Sequence, residues 1–225
     1  MIKTRACAAV LAAFFALSAC GQPTYTYVKD NGGTTYFKVP SSYTRLDADP
    51  LEALLSGNNP ESAAAQERKQ RVWSTAFDQS TQPQVLHLFG SNDAFVYAAV
   101  HKLTDEERDS MSLNQMRDFI LPVTAQTRSM YLSQFTGTGR QPLFTNFESL
   151  GDKMVQLDKG ARGVRTRFNY EIGGQVQTFD QTAILDEKGA TVSILLFRCQ
   201  SQCFQARSAE FEKIIDSFKL LRLPG

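Results

Sequence analysis

Apolar and polar positions alternate with a period of two through most of the last third of this chain. Arg162 to Ile172, Gln175 to Glu187 and Ala190 to Cys199 are strand-like runs separated by Gly173-Gly174 and Lys188-Gly189, pairs that suit tight hairpin turns. Two-residue turns fix a register: Phe168 faces Phe179, Leu185 faces Val192 and Ala183 faces Ile194 on one side of the sheet. On the other side Arg167 faces Asp180, a charge pair that fits an outward-facing position. In the third run Ile194 and Leu196 point one way while Leu195 and Phe197 point the other, and a strand apolar on both faces is covered on both. Phe211, Ile214, Ile215 and Phe218 recur at i, i+3, i+4 and i+7, the stripe of an amphipathic helix that supplies one cover.

Earlier elements are shorter. Tyr25 to Lys29 and Thr34 to Val39 form a hairpin around Asp30, Asn31, Gly32 and Gly33, and Pro40 ends its second strand. A helix follows, with Asp49 as N-cap, Pro50 at its first position, Leu51, Leu54 and Leu55 on one face and Gly57 as the stop. Residues 61–71 are helix-prone but polar, a solvated helix or loop. Val72 to Asp78 and Ala94 to Leu103 are strand candidates, with Val85 to Phe89 a third, shorter one. Ser112 and Gln115 make a capping box ahead of Leu113, Met116 and Ile120. Pro122 kinks that helix or starts another through about Phe135, and a strand spans Phe144 to Leu150.

The first residues carry an address. Lys3 and Arg5 precede an apolar stretch from Ala6 to Leu17, and small residues follow, the layout of a secretory signal peptide over residues 1–19. Twelve apolar residues are too few to span a bilayer. The run Leu17, Ser18, Ala19, Cys20 resembles the lipobox of bacterial lipoproteins, which implies cleavage before Cys20 and acylation of its sulfur, with the new N-terminus usually acylated too. Residues 20–24 are then a short tether, reaching about 13–14 Å over its last four residues when extended, and 25–225 form a single domain close to the membrane. Gly21 is not the aspartate that retains lipoproteins in the inner membrane of many diderm bacteria. The expected location is extracytoplasmic: the outer membrane in a diderm, the outer leaflet of the plasma membrane in a monoderm.

Loss of Lys3 and Arg5 from a total of 24 basic residues, against 23 acidic ones, leaves the mature chain one charge to the acidic side of neutral. That balance gives no reason to expect nucleic-acid binding or electrostatic adhesion to anionic lipid. Membrane attachment is therefore assigned to the acyl chains.

The order of elements, an opening hairpin, a late three-strand meander and a closing amphipathic helix, resembles the Mog1/PsbP-like α/β/α sandwich over roughly residues 25–221. Phe37, Val39, Pro40 and Tyr43 carry the likeness near the start, and Phe211, Ile214, Ser217 and Phe218 in the closing helix; the family pattern often has tryptophan where Tyr43 stands. The resemblance implies an α+β fold, an antiparallel β-sheet flanked by helices on both faces. It also implies a non-catalytic binding or assembly role, with no catalytic residues or cofactor to carry over.

Cys199 and Cys203 remain as a C-x3-C pair, expected to form a disulfide outside the cytoplasm. Copper-delivery proteins of the Sco type also use C-x3-C with a distant histidine, for which His87 and His101 are the available residues. Those histidines lie in strand-like segments, the cysteines come late in the chain, and no nucleophile elbow, phosphate-cradling glycine loop or calcium loop accompanies them. Trp73 and the many Phe and Tyr residues leave open a carrier that binds an apolar small molecule or lipid. The leading expectation is an interaction module with an envelope protein partner, with the face carrying Arg165 and Arg167 as one contact candidate.

Overall fold

The computed structural model describes residues 23–56 and 61–221. The signal segment, Cys20 and the first tether residues lie outside the described residues, as does Gly57, read above as a helix stop. A seven-stranded sheet forms the middle layer, in the order β3-β4-β5-β9-β8-β7-β6 with every neighbouring pair antiparallel. Its strands are β3 (Thr44–Leu46), β4 (Val72–Asp78), β5 (Phe95–Lys102), β6 (Thr145–Gln156), β7 (Arg162–Ile172), β8 (Gln175–Leu185) and β9 (Thr191–Gln200). A smaller sheet has β2 (Thr35–Pro40) between β1 (Tyr25–Lys29) and β10 (Lys219–Leu220).

The meander has the register expected from its turns: Phe168 opposite Phe179, Arg167 opposite Asp180, Leu185 opposite Val192 and Ala183 opposite Ile194. Gly173 and Gly174 both take positive φ, 59° and 77°, which lets β7 turn into β8 in two residues. At this turn β8 ends at Leu185 and β9 begins at Thr191, a shorter pairing than expected, because the Asp186 carboxylate accepts the amides of Ala190 and Thr191 and draws Asp186 and Ala190 into the turn.

Both faces of β5 and β9 are buried, as the double apolar pattern of β9 requires. On one face Val96, Ala98, Leu195 and Phe197 pack under β2 and under helices α6 (Ser201–Ala206) and α7 (Ser208–Ile215), which contribute Phe204, Phe211, Ile214 and Ile215. On the other, Phe95, Tyr97, Leu196, Phe168 and Phe179 pack under α1 (Asp49–Ser56), which contributes Leu51, and under the chain that leads into α5 (Ala125–Ser133). Met116 of α4 (Leu113–Arg117) covers Val164, Ala183 and Ile194 at the far end of this face. The layers are thus helices, sheet, and helices with a small sheet.

Local chemistry explains where the elements differ from the sequence reading. β2 begins at Thr35 because Asp30 accepts from Gly32 N, Thr34 Oγ1 and Thr35 N, which keeps Thr34 in the turn. Asp49 is the first residue of α1 and not its cap: Ala48 O accepts the first helical bond, from Glu52 N, and the Asp47 carboxylate accepts from Asp49 N just ahead of the helix. Residues 61–71 contain the helix α2 (Ala63–Arg71), capped by Ser62. Val85–Phe89 is a 3-10 helix and not a strand: Asp78 reaches across to accept from Gln84 N and to pair with His87 Nδ1, winding the segment into one tight turn. The expected capping box at Ser112 and Gln115 is present. Asp118 then accepts from Val123 N, Thr124 N and the hydroxyls of Thr124 and Thr127, so the break around Pro122 is a hydrogen-bonded corner between α4 and α5. A short helix, α3 (Asp105–Ser110), was not expected for want of an apolar stripe, although Thr104 and Glu107 form a capping box at its start, and the short strands β3 and β10 were not expected either.

Candidate interaction surfaces

Cys199 is the penultimate residue of β9 and Cys203 lies in α6, and the structure joins them in a disulfide with a Cα–Cα distance of 6.1 Å. Cys199 is buried in the cluster that holds Phe197 and the α7 side chains, so the bridge ties β9 to the first turn of the covering helices. The two histidines sit elsewhere. His87, in the 3-10 helix, places Nδ1 2.6 Å from Asp78 Oδ2 and Nε2 2.7 Å from the Gln84 amide. His101, in β5, is 4% exposed and rests edge-on against Phe119 with ring centroids 4.7 Å apart. Burial pushes the His101 pKa down to about 3, with Arg68 and Arg71 adding to the effect. Among the described residues no three His, Cys, Asp or Glu side chains gather as a metal-holding group.

Arg165 and Arg167 do not present a free face. The Asp180 carboxylate between them is fully buried, where an outward-facing pair was expected, because α7 lies over this side of the sheet. Arg165 donates to Asp180 through Nε and Nη2 at 2.8 and 2.9 Å, and to Glu212 of α7 at 2.7 Å. Arg167 donates to Asp180 at 2.7 Å and also reaches Glu212. Burial favours a neutral Arg165, but hydrogen bonds and charge from Asp180 and Glu212 outweigh it and raise its pKa. For Glu212, burial raises the pKa, and the two arginines more than reverse that to hold it below the usual range. The cluster clamps helix to sheet.

Arg198 is a functional-looking residue that the sequence concealed. It is fully buried in β9, and its Nη1 donates to the carbonyls of Ser91 and Asp93 and to Gln177 Oε1. These bonds hold the loop between the 3-10 helix and β5. Burial pushes its pKa down to about 10, against the opposing charges of Asp78 and Asp93.

A groove of about 440 Å³ opens where β4 runs past the end of β3, lined among others by Asn31, Asp49, Glu52, Arg68, Lys69 and Trp73. Its charges are spent on one another: Arg68 meets Glu52 and Lys69 meets Asp49, each at 3.3 Å, while the Tyr97 hydroxyl donates to Glu52. Pro50, Ala53, Ala65, Val72 and Trp73 supply an apolar remainder to this lining, whereas the large aromatic side chains elsewhere are packed into the core, as in the stack of Phe147, Phe168 and Phe179.

Two surfaces stand out as open among the described residues. The outer edge of β6 has no neighbouring strand among the described residues, and this strand exposes Leu150 and the side chain of Met154, the latter at 65%. The outer face of the small sheet carries Tyr25, Tyr27, Lys29, Tyr36, Lys38 and Lys219, since the alternate positions Val28, Phe37 and Val39 point into the core.

No protein-family model matches the chain, and no curated protein matches its sequence. Among solved structures, cyanobacterial PsbP (CyanoP) from Synechocystis is similar over 92% of this chain and 99% of its own, with a TM-score of 0.51 and 10% identity. The fold is the Mog1/PsbP-like sandwich. Two other similar structures are LpqN of Mycobacterium tuberculosis, involved in cell envelope biogenesis, with a TM-score of 0.45, 15% identity and coverage of 88% and 91%, and the Saccharomyces cerevisiae Ran-binding protein Mog1p, with a TM-score of 0.40, 10% identity and coverage of 88% and 96%. Among the described residues no helix of this Mog1/PsbP-like domain is long and apolar enough to cross a membrane.

Proposed function

We propose that the chain is a lipid-anchored, non-catalytic lipoprotein of the bacterial cell envelope, attached through Cys20, whose sandwich domain is a protein interaction or assembly module. The free edge of β6 is the observation that carries the interaction role. Beyond two irregularities between Thr145 and Gly151, this edge strand runs in continuous register from Gly151 to Gln156 and offers there a row of backbone donors and acceptors with no strand beside it among the described residues, the geometry by which an extended segment of another protein joins a sheet. Met154 and Leu150 give such a segment apolar contacts beside the backbone bonds. The address comes from the signal segment, and the start of the domain supports a position near the membrane: Ser41 N donates to Thr24 O and Ser41 Oγ to Pro23 O, which pins the chain three residues after Cys20.

In-cell photocrosslinking tests this reading. A photoreactive side chain at Met154 is expected to capture one discrete envelope protein, and the capture is expected to disappear with Cys20→Ser or with Leu150→Lys. An absence of capture at Met154 overturns the module, and normal processing and membrane retention of Cys20→Ser overturn the anchor.

A further inference from the structure

We propose that the outer face of the small sheet is a membrane-docking surface that lies against anionic phospholipid headgroups; this rests on the Cys20 anchor for its setting. In the β1–β2–β10 register, Tyr25 stands opposite Pro40, Tyr27 opposite Lys38, and Tyr36 between Lys29 and Lys219. Directly opposed residues share a face, so three tyrosines and three lysines lie together on a patch of roughly 14 by 10 Å. None of these outward strand positions carries a carboxylate. The one acidic residue at the hairpin, Asp30, is buried and used up in the turn.

The side chains are arranged as an amphipathic surface. Tyr27 is 66% exposed and stacks on Tyr36 at 6.2 Å, and the Lys38 ammonium sits 4.5 Å from the Tyr25 ring centroid. Tyrosine favours the headgroup level of a bilayer, where its ring is half immersed and its hydroxyl wet. Lysines beside it keep their stems on the apolar side and their charges at the phosphates. The near-neutral balance of the whole chain hides this concentration of positive charge on one face.

Position selects the occupant. Two residues, Gly21 and Gln22, separate Cys20 from Pro23, a span of at most about 10 Å, and Pro23 and Thr24 are held by Ser41 beside the Tyr25 end of the face. An acyl chain on Cys20 thus brings Tyr25 to headgroup depth, and laying the sheet flat brings the other two tyrosines and the three lysines down with it.

The test uses the mature acylated protein in phosphatidylcholine vesicles, with or without an equal amount of phosphatidylglycerol, and in neutral detergent micelles. Brief acetylation is read lysine by lysine by mass spectrometry. Lys29, Lys38 and Lys219 are expected to react at least about fivefold more slowly in phosphatidylglycerol vesicles than in micelles, an effect of the size one surface-bound lysine contributes. Lys153 and Lys188, exposed elsewhere, should be unchanged. High salt should remove the protection, and Tyr27→Ser with Lys29→Gln and Lys38→Gln should remove it from Lys219. Reaction of the three lysines at the micelle rate in phosphatidylglycerol vesicles, or equal protection in phosphatidylcholine alone, overturns the proposal. The intact mass reports the acyl chains separately. A protein without them ends the anchor reading, and its binding to phosphatidylglycerol vesicles, expected to weaken about fivefold per lysine replaced, then decides the face alone.

Discussion

Arg165 on β7 and Asp180 on β8 form a two-pronged hydrogen-bonded ion pair, 2.8 and 2.9 Å, with the carboxylate completely buried. The pair is diagonal across the strands; the residue directly opposite Asp180 is Arg167, which donates to the same carboxylate. Removing one partner of a buried pair strands the other charge, so Asp180→Ala is expected to cost about 3–5 kcal/mol. Pairing it with Arg165→Met should recover part of the loss, because the coupled residues are not additive. Chemical denaturation of the wild type, both single variants and the double variant measures the coupling, and additive losses would show that the pair does not act as a unit.

Glu212 makes the same clamp sensitive to acid. Its folded carboxyl binds a proton more weakly than in the unfolded chain, because Arg165 and Arg167 hold it ionised against the cost of burial. The unfolded state therefore takes up more protons, and stability rises with pH through this window. The contribution is complete above the ordinary glutamate range of about 4.3 and is lost as pH falls through the depressed folded value. Denaturation midpoints of Glu212→Gln should be lower than wild type at neutral pH and converge with it in acid; a constant gap would remove Glu212 from the clamp.

His101 acts at milder pH. Burial holds the folded imidazole neutral down to about pH 3, while the unfolded side chain protonates near 6.5. Its contribution is present above about 6.5 and is lost progressively as pH falls toward the folded value, roughly 1–2 kcal/mol by pH 5. His101→Phe, which keeps a ring against Phe119, should flatten the stability profile between about pH 6.5 and 5. An unchanged slope would assign it to other groups.

The parts of the fold legible in the sequence are those where one local signal decides the geometry. Gly173-Gly174 sets a two-residue turn, and every pairing of β7 with β8 follows from it. The double apolar pattern of β9 likewise announced covers on both faces. Val85 to Phe89 misled because a short apolar run reads equally well as strand or helical turn, and the deciding group, Asp78, sits on another element. The burial of Asp180 was equally hidden: Arg167 opposite Asp180 fits solvent or core, and only Glu212, beyond the next strand and a helix, distinguishes them. The tyrosine–lysine face required two separate pieces of chain, since Lys219 joins Tyr36 through a pairing between the ends of the domain. The signal segment and the lipobox proposed at Cys20 rest on order and charge in the sequence alone, and they fall outside the described residues.

Reduction of the Cys199–Cys203 bridge is expected to lower stability modestly. The bond closes a loop of only five residues, for which the loss of unfolded-chain entropy is worth about 2 kcal/mol. Cys203→Ser, at the half-buried end, should reproduce that change. Thiol titration of the unfolded mature protein, before and after reduction, together with denaturation midpoints, checks both points. A full complement of free thiols before reduction, or no change in midpoint after it, would count against the bridge as a staple between β9 and α6.

Gly163 offers a test of the sheet itself. It lies in β7 with no special φ, yet a Cβ there would stand 2.1 Å from the Ala183 carbonyl oxygen and 2.9 Å from Ile184 Cα. These are backbone atoms of the paired strand β8, so no side-chain rotation relieves the contact. The strands must part where Val164 and Ala183 enter the core under Met116. Gly163→Ala is therefore expected to destabilise by about 1–3 kcal/mol, the range for overpacking a close-packed interior, although alanine favours a strand over glycine on entropy alone. Gly151→Ala on β6, where a Cβ meets nothing within 4 Å, is the matched control and should be neutral or slightly stabilising. Thermal midpoints of the two variants decide the point: equal values would mean that β7 and β8 are not as close at Gly163 as the register places them.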